Sequence, residues 1–157
     1  MFNANKPTKD ILTDVINASN QHNPKFNPYN YGVLRFRNVR PEPDHGNYGA
    51  SVLVSDDDSV DDRDWLRVFY QKPDISQVIK AGREIPWEPG YTSLEAVLPA
   101  INKELGLQLG PSDVVDYKFD FDLVDEERKL HVSIRTPNNG LLFRGMSYVI
   151  MTGVNPA

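Results

Sequence analysis

Hydrophobic positions along this chain alternate between a helical period and a period of two. Ile11, Leu12, Val15 and Ile16 fall at i, i+1, i+4 and i+5, which puts them on one stripe of a helix. Thr8 is placed to cap that helix from Lys9, with Pro7 just ahead of it. Asn17 to Asn30 then fills with Asn, Ser, Gln and Pro, a loop composition. From Gly32 to Val39 the period becomes two, with Leu34 and Phe36 on one face and Arg35 and Arg37 on the other. Pro41-Glu42-Pro43 ends this strand. A turn at Gly46-Asn47-Tyr48-Gly49 leads to a second strand, Ala50 to Ser55, with Val52 and Val54 on one face. Trp65 to Gln71, rich in aromatic and β-branched residues, is a third strand, closed by Pro73.

Gly82, Pro86, Pro89 and Gly90 punctuate Lys80 to Gly90, which predicts irregular chain. A second helix follows, with a Thr92-x-x-Glu95 capping box and a stripe of Leu94, Val97, Leu98, Ile101 and Leu105. Gly106 stands where a left-handed residue closes a helix. Pro99 inside predicts a kink, or two short pieces with Pro99 in the first turn of the second. Beyond it, Tyr117, Phe119, Phe121 and Leu123 alternate with Lys118, Asp120 and Asp122, a strand pattern. Asp125 to Arg128 is a turn. Leu130, Val132 and Ile134 alternate with His131, Ser133 and Arg135. Pro137-Asn138-Asn139-Gly140 is a second turn, Asn-Gly being a hairpin signal. Leu141 to Phe143 and Met146 to Met151 supply the last strand or strands, with a bulge at Gly145. Ile16-Asn17 and Ile101-Asn102 each end a helix and lead to a proline and a strand; a duplicated unit or chance similarity of two amphipathic helices would both produce this.

Two helices and six or seven short strands predict an α+β, mainly antiparallel β fold, compact and sandwich-like, with an N-terminal helix and a second, Pro-kinked helix. A length of 157 residues predicts one domain, with residues 1–6 and 154–157 as flexible ends and 55–64 as an acidic loop. A chain of this size buries roughly 69% of its unfolded surface, enough for a core without staples. There is no cysteine, which removes disulfides, thiolate metal sites and thiol nucleophiles. The net charge of −5 and pI of about 5.1 argue against direct nucleic-acid binding, which needs a basic surface, and against docking on anionic membranes. No apolar run reaches the ~18 residues of a spanning helix, and the first residues carry no secretory h-region.

Candidate chemistry is sparse. The run Ser55 to Asp64 holds six aspartates, and closely spaced aspartates are calcium ligands. Asp56, Asp58 and Asp61 are the weak metal candidates there. An EF-hand loop started at Asp57 would place Asp62 and Val68 at the required Gly and Glu positions, and one started at Asp56 would place Asp61 and Arg67 there, so that register fails. A solvated loop that blunts a strand edge fits the run better. His22, His45 and His131 lie in separate segments without ligand spacing. Asp120 and Asp122 would sit about 7 Å apart on one strand face, an acid–base pair only if a cleft received them. Trp65, Trp87, Tyr91 and Tyr148 could line a sugar-binding surface, although strand aromatics are more often core. Arg35 and Arg37, beside Asn38 and Arg40, form a basic strand face, a candidate contact for an acidic neighbour such as the Asp56–Asp64 loop of another copy. No serine-nucleophile or phosphate-loop motif is present. Catalytic residues and cofactors are therefore expected to be none, and Arg35, Arg37, Trp65 and Trp87 stand as interface candidates.

Several segments share an order with a known group. They are Leu34-Arg-Phe-Arg-Asn38, Tyr48-Gly-Ala-Ser-Val-Leu-Val54, and Val68-Phe-Tyr70 with Asp74. Ser93-Leu-Glu-Ala-Val-Leu-Pro-Ala-Ile-Asn102, Leu105-Gly-Leu-Gln-Leu109, Pro111-Ser-Asp-Val-Val-Asp116 and Leu141-Leu-Phe-Arg-Gly145 follow. Over roughly residues 8 to 152 the chain is similar to small virion structural proteins of large tailed bacteriophages. The Leu-Pro-x-Ile-Asn…Leu-Gly-Leu…Pro-x-Asp element is the most specific part. These are packing and turn residues, so the resemblance implies a fold and a virion setting and transfers no catalytic residue. It implies a non-enzymatic, multi-copy component of head, neck, tail or baseplate, partnered by other virion proteins and by copies of itself. The alternative is a carbohydrate- or host-surface-binding β module.

Overall fold

Helix α1 (Thr8–Ser19) buries Ile11, Leu12 and Ile16, three of the four stripe residues, with Val15 half-buried. Each fully buried aliphatic side chain contributes about 1.5–3 kcal/mol. The structure is a computed structural model and describes residues 3–20, 34–42, 49–55 and 65–156. Thr8 is not the cap: Pro7 holds that place, and the Thr8 hydroxyl instead donates to Asp113 Oδ2 at 2.7 Å. The helix also runs to Ser19, into the region expected as loop. At its end the buried Asn20 side-chain amide donates to the carbonyls of Ile16 and Phe69, stitching the helix end to the first sheet.

That sheet is antiparallel, in the order β1 (Arg35–Pro41), β2 (Ala50–Ser55), β3 (Leu66–Tyr70). The central β2 is buried on both faces except for half-buried Leu53, so its Ser51 and Ser55 lie inside as well as Val52 and Val54. The β1–β2 register shifts between Arg37 and Arg40, where Asn38 takes a φ of 57°. Asn tolerates this left-handed backbone better than most residues.

The second sheet has the order β4 (Arg83–Pro86), β6 (Met146–Thr152), β5 (Leu130–Arg135). β5 and β6 are antiparallel, from Leu130↔Met151 to Arg135↔Met146; β5 shows the alternation that its sequence predicts, and β6 buries Ser147, Val149 and Met151. β4 lies in the stretch predicted irregular and pairs parallel to β6, from Arg83↔Val149 to Pro86↔Thr152. A proline fits there because β4 is a sheet edge, where its missing N–H has no ladder to break. The fold is thus α+β, with six mostly antiparallel strands among the described residues, and one core cluster draws on α1, both sheets and the second helix.

Helix α2 (Leu94–Leu105) is one element through Pro99, which is exposed, rather than two pieces. Its cap is shifted one residue from the predicted box. Ser93 Oγ accepts from the Ala96 N–H at 3.2 Å, and the Glu95 N–H goes to the Asp116 carboxylate at 2.8 Å. Gly106 closes it in the left-handed conformation, φ 66°. The Asp116 segment runs alongside: Leu94 N–H donates to the Tyr117 carbonyl and Phe119 N–H to that of Thr92. This pairing replaces the strand predicted over Tyr117 to Leu123. Asp120 accepts from the Asp122 N–H and starts a 3-10 turn at Phe121–Leu123, so a local side-chain bond outcompetes the ladder. Leu141 to Phe143 form no strand either.

The ends differ from the expectation of looseness. Ala4 packs on the core, and the Gln108 amide donates to the Asn5 carbonyl. Val154 is fully buried and its N–H donates to the Arg128 carbonyl.

A backbone clip joins the two sheets. Arg144 N–H donates to the Pro73 carbonyl at 3.0 Å, Ile75 N–H to the Arg144 carbonyl at 2.9 Å, and Arg144 Nε to the Lys72 carbonyl at 3.0 Å. The Tyr70 hydroxyl donates to the Leu141 carbonyl in the same region. Gly145 follows at φ 83°, and a Cβ there would lie 2.8 Å from Asp74 Oδ2. Asp74 cannot swing aside freely, because its Oδ1 caps the Ser76 N–H. Gly145→Ala is therefore expected to destabilise by about 2 kcal/mol or more, from left-handed strain plus the clash. Gly106→Ala, with open space around its Cβ, should lose about 1 kcal/mol. Urea denaturation of the two variants checks the order. In the same assay Ser93→Ala should lose about 1 kcal/mol, while Thr92→Ala stays within about 0.5 kcal/mol of wild type.

Candidate functional site

Strand β5 sends Leu130, Val132 and Ile134 into the core and His131, Ser133 and Arg135 outward. Its outer edge is partly covered by the chain before α2's partner segment: the Val115 N–H donates to the Arg135 carbonyl at 2.8 Å, and Tyr117 hydrogen-bonds the Ser133 backbone. Burial pushes the Tyr117 phenol above its ordinary pKa, and that backbone bond offsets part of the shift. Together with the 3-10 turn this builds a groove of about 360 Å³ lined by Val115, Tyr117, Leu123, His131, Ser133 and Arg135. Its apolar wall is unusually open to water: Leu123 is 70% exposed, Val115 43% and Tyr117 38%. His131 forms part of the floor, stacked on Tyr148 with ring centres 5.0 Å apart. The wall is rigidified from behind by edge-to-face contacts that run Tyr117–Phe119–Phe121–Trp87.

A second cavity, of about 380 Å³, opens beside the clip, with Lys72, Arg135, Thr136, Pro137, Phe143 and Arg144 among its lining residues. Lys72 is only 6% exposed, and burial pushes its amine pKa down. Arg144 reaches the Asp74 carboxylate at 3.6 Å. Asp74 is itself held below the usual carboxylate range, first by the Ser76 backbone N–H.

A family model matches residues 1–154, nearly the whole chain. The chain belongs to DUF7941, a family of unknown function. No curated protein and no solved structure matches it. Membership of DUF7941 attaches no chemistry to the groove or the cavity, so their roles rest on their own residues.

The structure brings together two of the four predicted interface residues of this DUF7941 chain. The Arg37 guanidinium lies 4.1 Å from the centre of the Trp65 ring, a cation–π contact within the first sheet. Arg37 is half-buried, whereas Arg35 is exposed on the same strand. Trp87 lies elsewhere, directly after β4. Its indole N–H donates to the Tyr91 carbonyl at 3.0 Å and its ring meets the edge of Phe121, so it serves the fold of its own loop. Asp120 is a turn cap and Asp122 its follower, not a pair of carboxylates across a strand face. Asp56, Asp58, Asp61, His22 and His45 lie outside the described residues. Among the described residues, no group of three or more His, Asp or Glu side chains could hold a metal, and no helix is long and apolar enough to cross a membrane.

Sequence patterning missed both cavities. It placed Leu123 on a core face because of a two-residue period that the Asp120 cap interrupts. Lys72 carries no local signal except its place between a strand and Pro73, since its burial comes from contacts with the segment around Arg144. A double-mutant cycle of Arg37→Gln and Trp65→Leu should show a coupling of about 0.5–1 kcal/mol in thermal denaturation, as a half-exposed cation–π pair gives.

Proposed function

We propose that this chain is a non-enzymatic structural protein of a tailed-bacteriophage particle, present in many copies and built into head, neck, tail or baseplate. The observation that carries this is the β5 groove. Leu123, Val115 and Tyr117 form an open apolar wall on a rigid backing, a surface a soluble monomer gains nothing by exposing and an assembly covers. Its occupant is an apolar side chain of a neighbouring particle subunit, with the polar rim of His131, Ser133 and Arg135 setting the register. The similarity of the Leu98-Pro-x-Ile-Asn102 region to small virion proteins supports the same setting. Partners are then other virion proteins and copies of this chain, and the place of action is the virion.

The carbohydrate-binding alternative loses one of its platforms. A sugar needs an open aromatic face, and Trp87 is engaged by Tyr91 and Phe121 within its own loop.

Mass spectrometry of purified particles from the encoding phage is expected to find the chain at several copies per virion. A paired Val115→Asp and Leu123→Asp variant, supplied in place of the wild type, should enter particles roughly tenfold less while keeping its circular dichroism spectrum. Absence of the wild-type chain from washed particles would overturn the proposal.

A further inference from the structure

The cavity beside the clip has a feature that assembly does not require. Lysine is seldom buried without a counter-charge, because taking an ammonium out of water unpaired is destabilising. Lys72 is 6% exposed as a residue, and its side chain makes no hydrogen bond or ion pair with the described residues; its ammonium is not among the buried unpartnered atoms, because it opens into the cavity that it lines. Two more cations, Arg135 and Arg144, line the same cavity, and among the described residues no carboxylate does. Asp74 meets Arg144 at 3.6 Å but is not part of the lining.

We infer that this cavity is a binding site for a phosphate-class oxyanion, with Lys72, Arg135 and Arg144 as its cationic contacts. The site is built in advance. Arg144 is fixed by its Nε bond to the Lys72 carbonyl and by the backbone clip to Pro73 and Ile75. Arg135 is held in β5, and the next residue, Thr136, bonds the Gly145 carbonyl through both its N–H and its hydroxyl, at 3.1 and 2.9 Å. Three cationic contacts suit a tetrahedral dianion, whose several oxygens can meet each of them; a carboxylate has only two. The volume of about 380 Å³ exceeds what a bare phosphate fills, and Pro41, Pro137 and Phe143 supply apolar wall. A phosphate monoester with a small organic body therefore fits better than free phosphate. Arg135 is shared with the β5 groove, so Lys72→Met, whose residue lines only this cavity, separates the inference from the particle role.

Isothermal titration of the full chain tests it with three probes: inorganic phosphate, glycerol 1-phosphate and acetate. Saturable binding of phosphate is expected, tighter for the ester, with acetate silent. Lys72→Met and, on the exposed face of β5, Arg135→Gln should each weaken binding by roughly tenfold or more. Without ligand, Lys72→Met should melt at the same or a higher temperature than wild type, because partial burial already disfavours the charged amine. Saturable phosphate binding lost in both variants supports the site, and equal affinity for ester and free phosphate would confine it to the phosphate group alone. No saturable binding, binding of acetate alone, or phosphate binding unchanged in Lys72→Met would overturn it. A lower melting temperature of Lys72→Met with phosphate affinity retained would also overturn it, since Lys72 would then be a structural residue.

Discussion

The main chain of Arg144 is the joint on which the two halves of this molecule depend. Its N–H and carbonyl pair with Pro73 and Ile75 as an isolated parallel bridge, and its side chain closes a third bond onto Lys72. The first sheet leaves through β3 into Lys72, while the second begins its hairpin return at Arg144. Among the described residues no strand is shared between the sheets, and these bonds and the common core hold their relation. Gly145 is the local condition for the joint, because the Asp74 carboxylate already fills the space a side chain would need. The same joint shapes the cationic cavity, whose residues come from both partners of the clip.

Where a segment's own pattern decides its structure, the sequence was legible. β5 follows its two-residue alternation, β2 and β6 fall where strands are expected, and α1 and α2 bury most of the stripes that spacing predicts. Most of the differences share one cause: the deciding partner is distant in the chain. Thr8 was read as a cap but bonds Asp113. The α2 cap moved to Ser93 because Asp116 serves the Glu95 N–H. β4 has no alternation of its own and becomes a strand only by lying along β6. Tyr117 to Leu123 shows the reverse, a good strand pattern lost to a single local bond at Asp120. The candidate sites fared worse, because Leu123 is exposed and Lys72 buried for reasons that local sequence does not carry.

Each sheet edge whose surroundings are described is blunted by a different device. β3 receives the Asn20 amide on its Phe69 carbonyl. β1 carries Arg35, Arg37 and Arg40 and a register shift at Asn38. β5 is met by Val115 and Tyr117, and β4 ends in a proline. These are established ways of discouraging strand-to-strand association. They leave side-chain surfaces, the β5 groove above all, as what the sheets present to solvent.

The position of β6 in its sheet also bears on how the chain is made. It is the central strand, yet it follows both of its neighbours in sequence. During synthesis β4 and β5 emerge first and have no ladder to join, and Lys72 has no Arg144 to meet. The first sheet, whose strands are consecutive hairpin neighbours, can form early; the second must wait for the ribosome to deliver its middle. A nascent chain stopped short of Met146 would thus carry half a fold and two orphan strands, the state in which a protein of this topology is most exposed to chaperones and to aggregation.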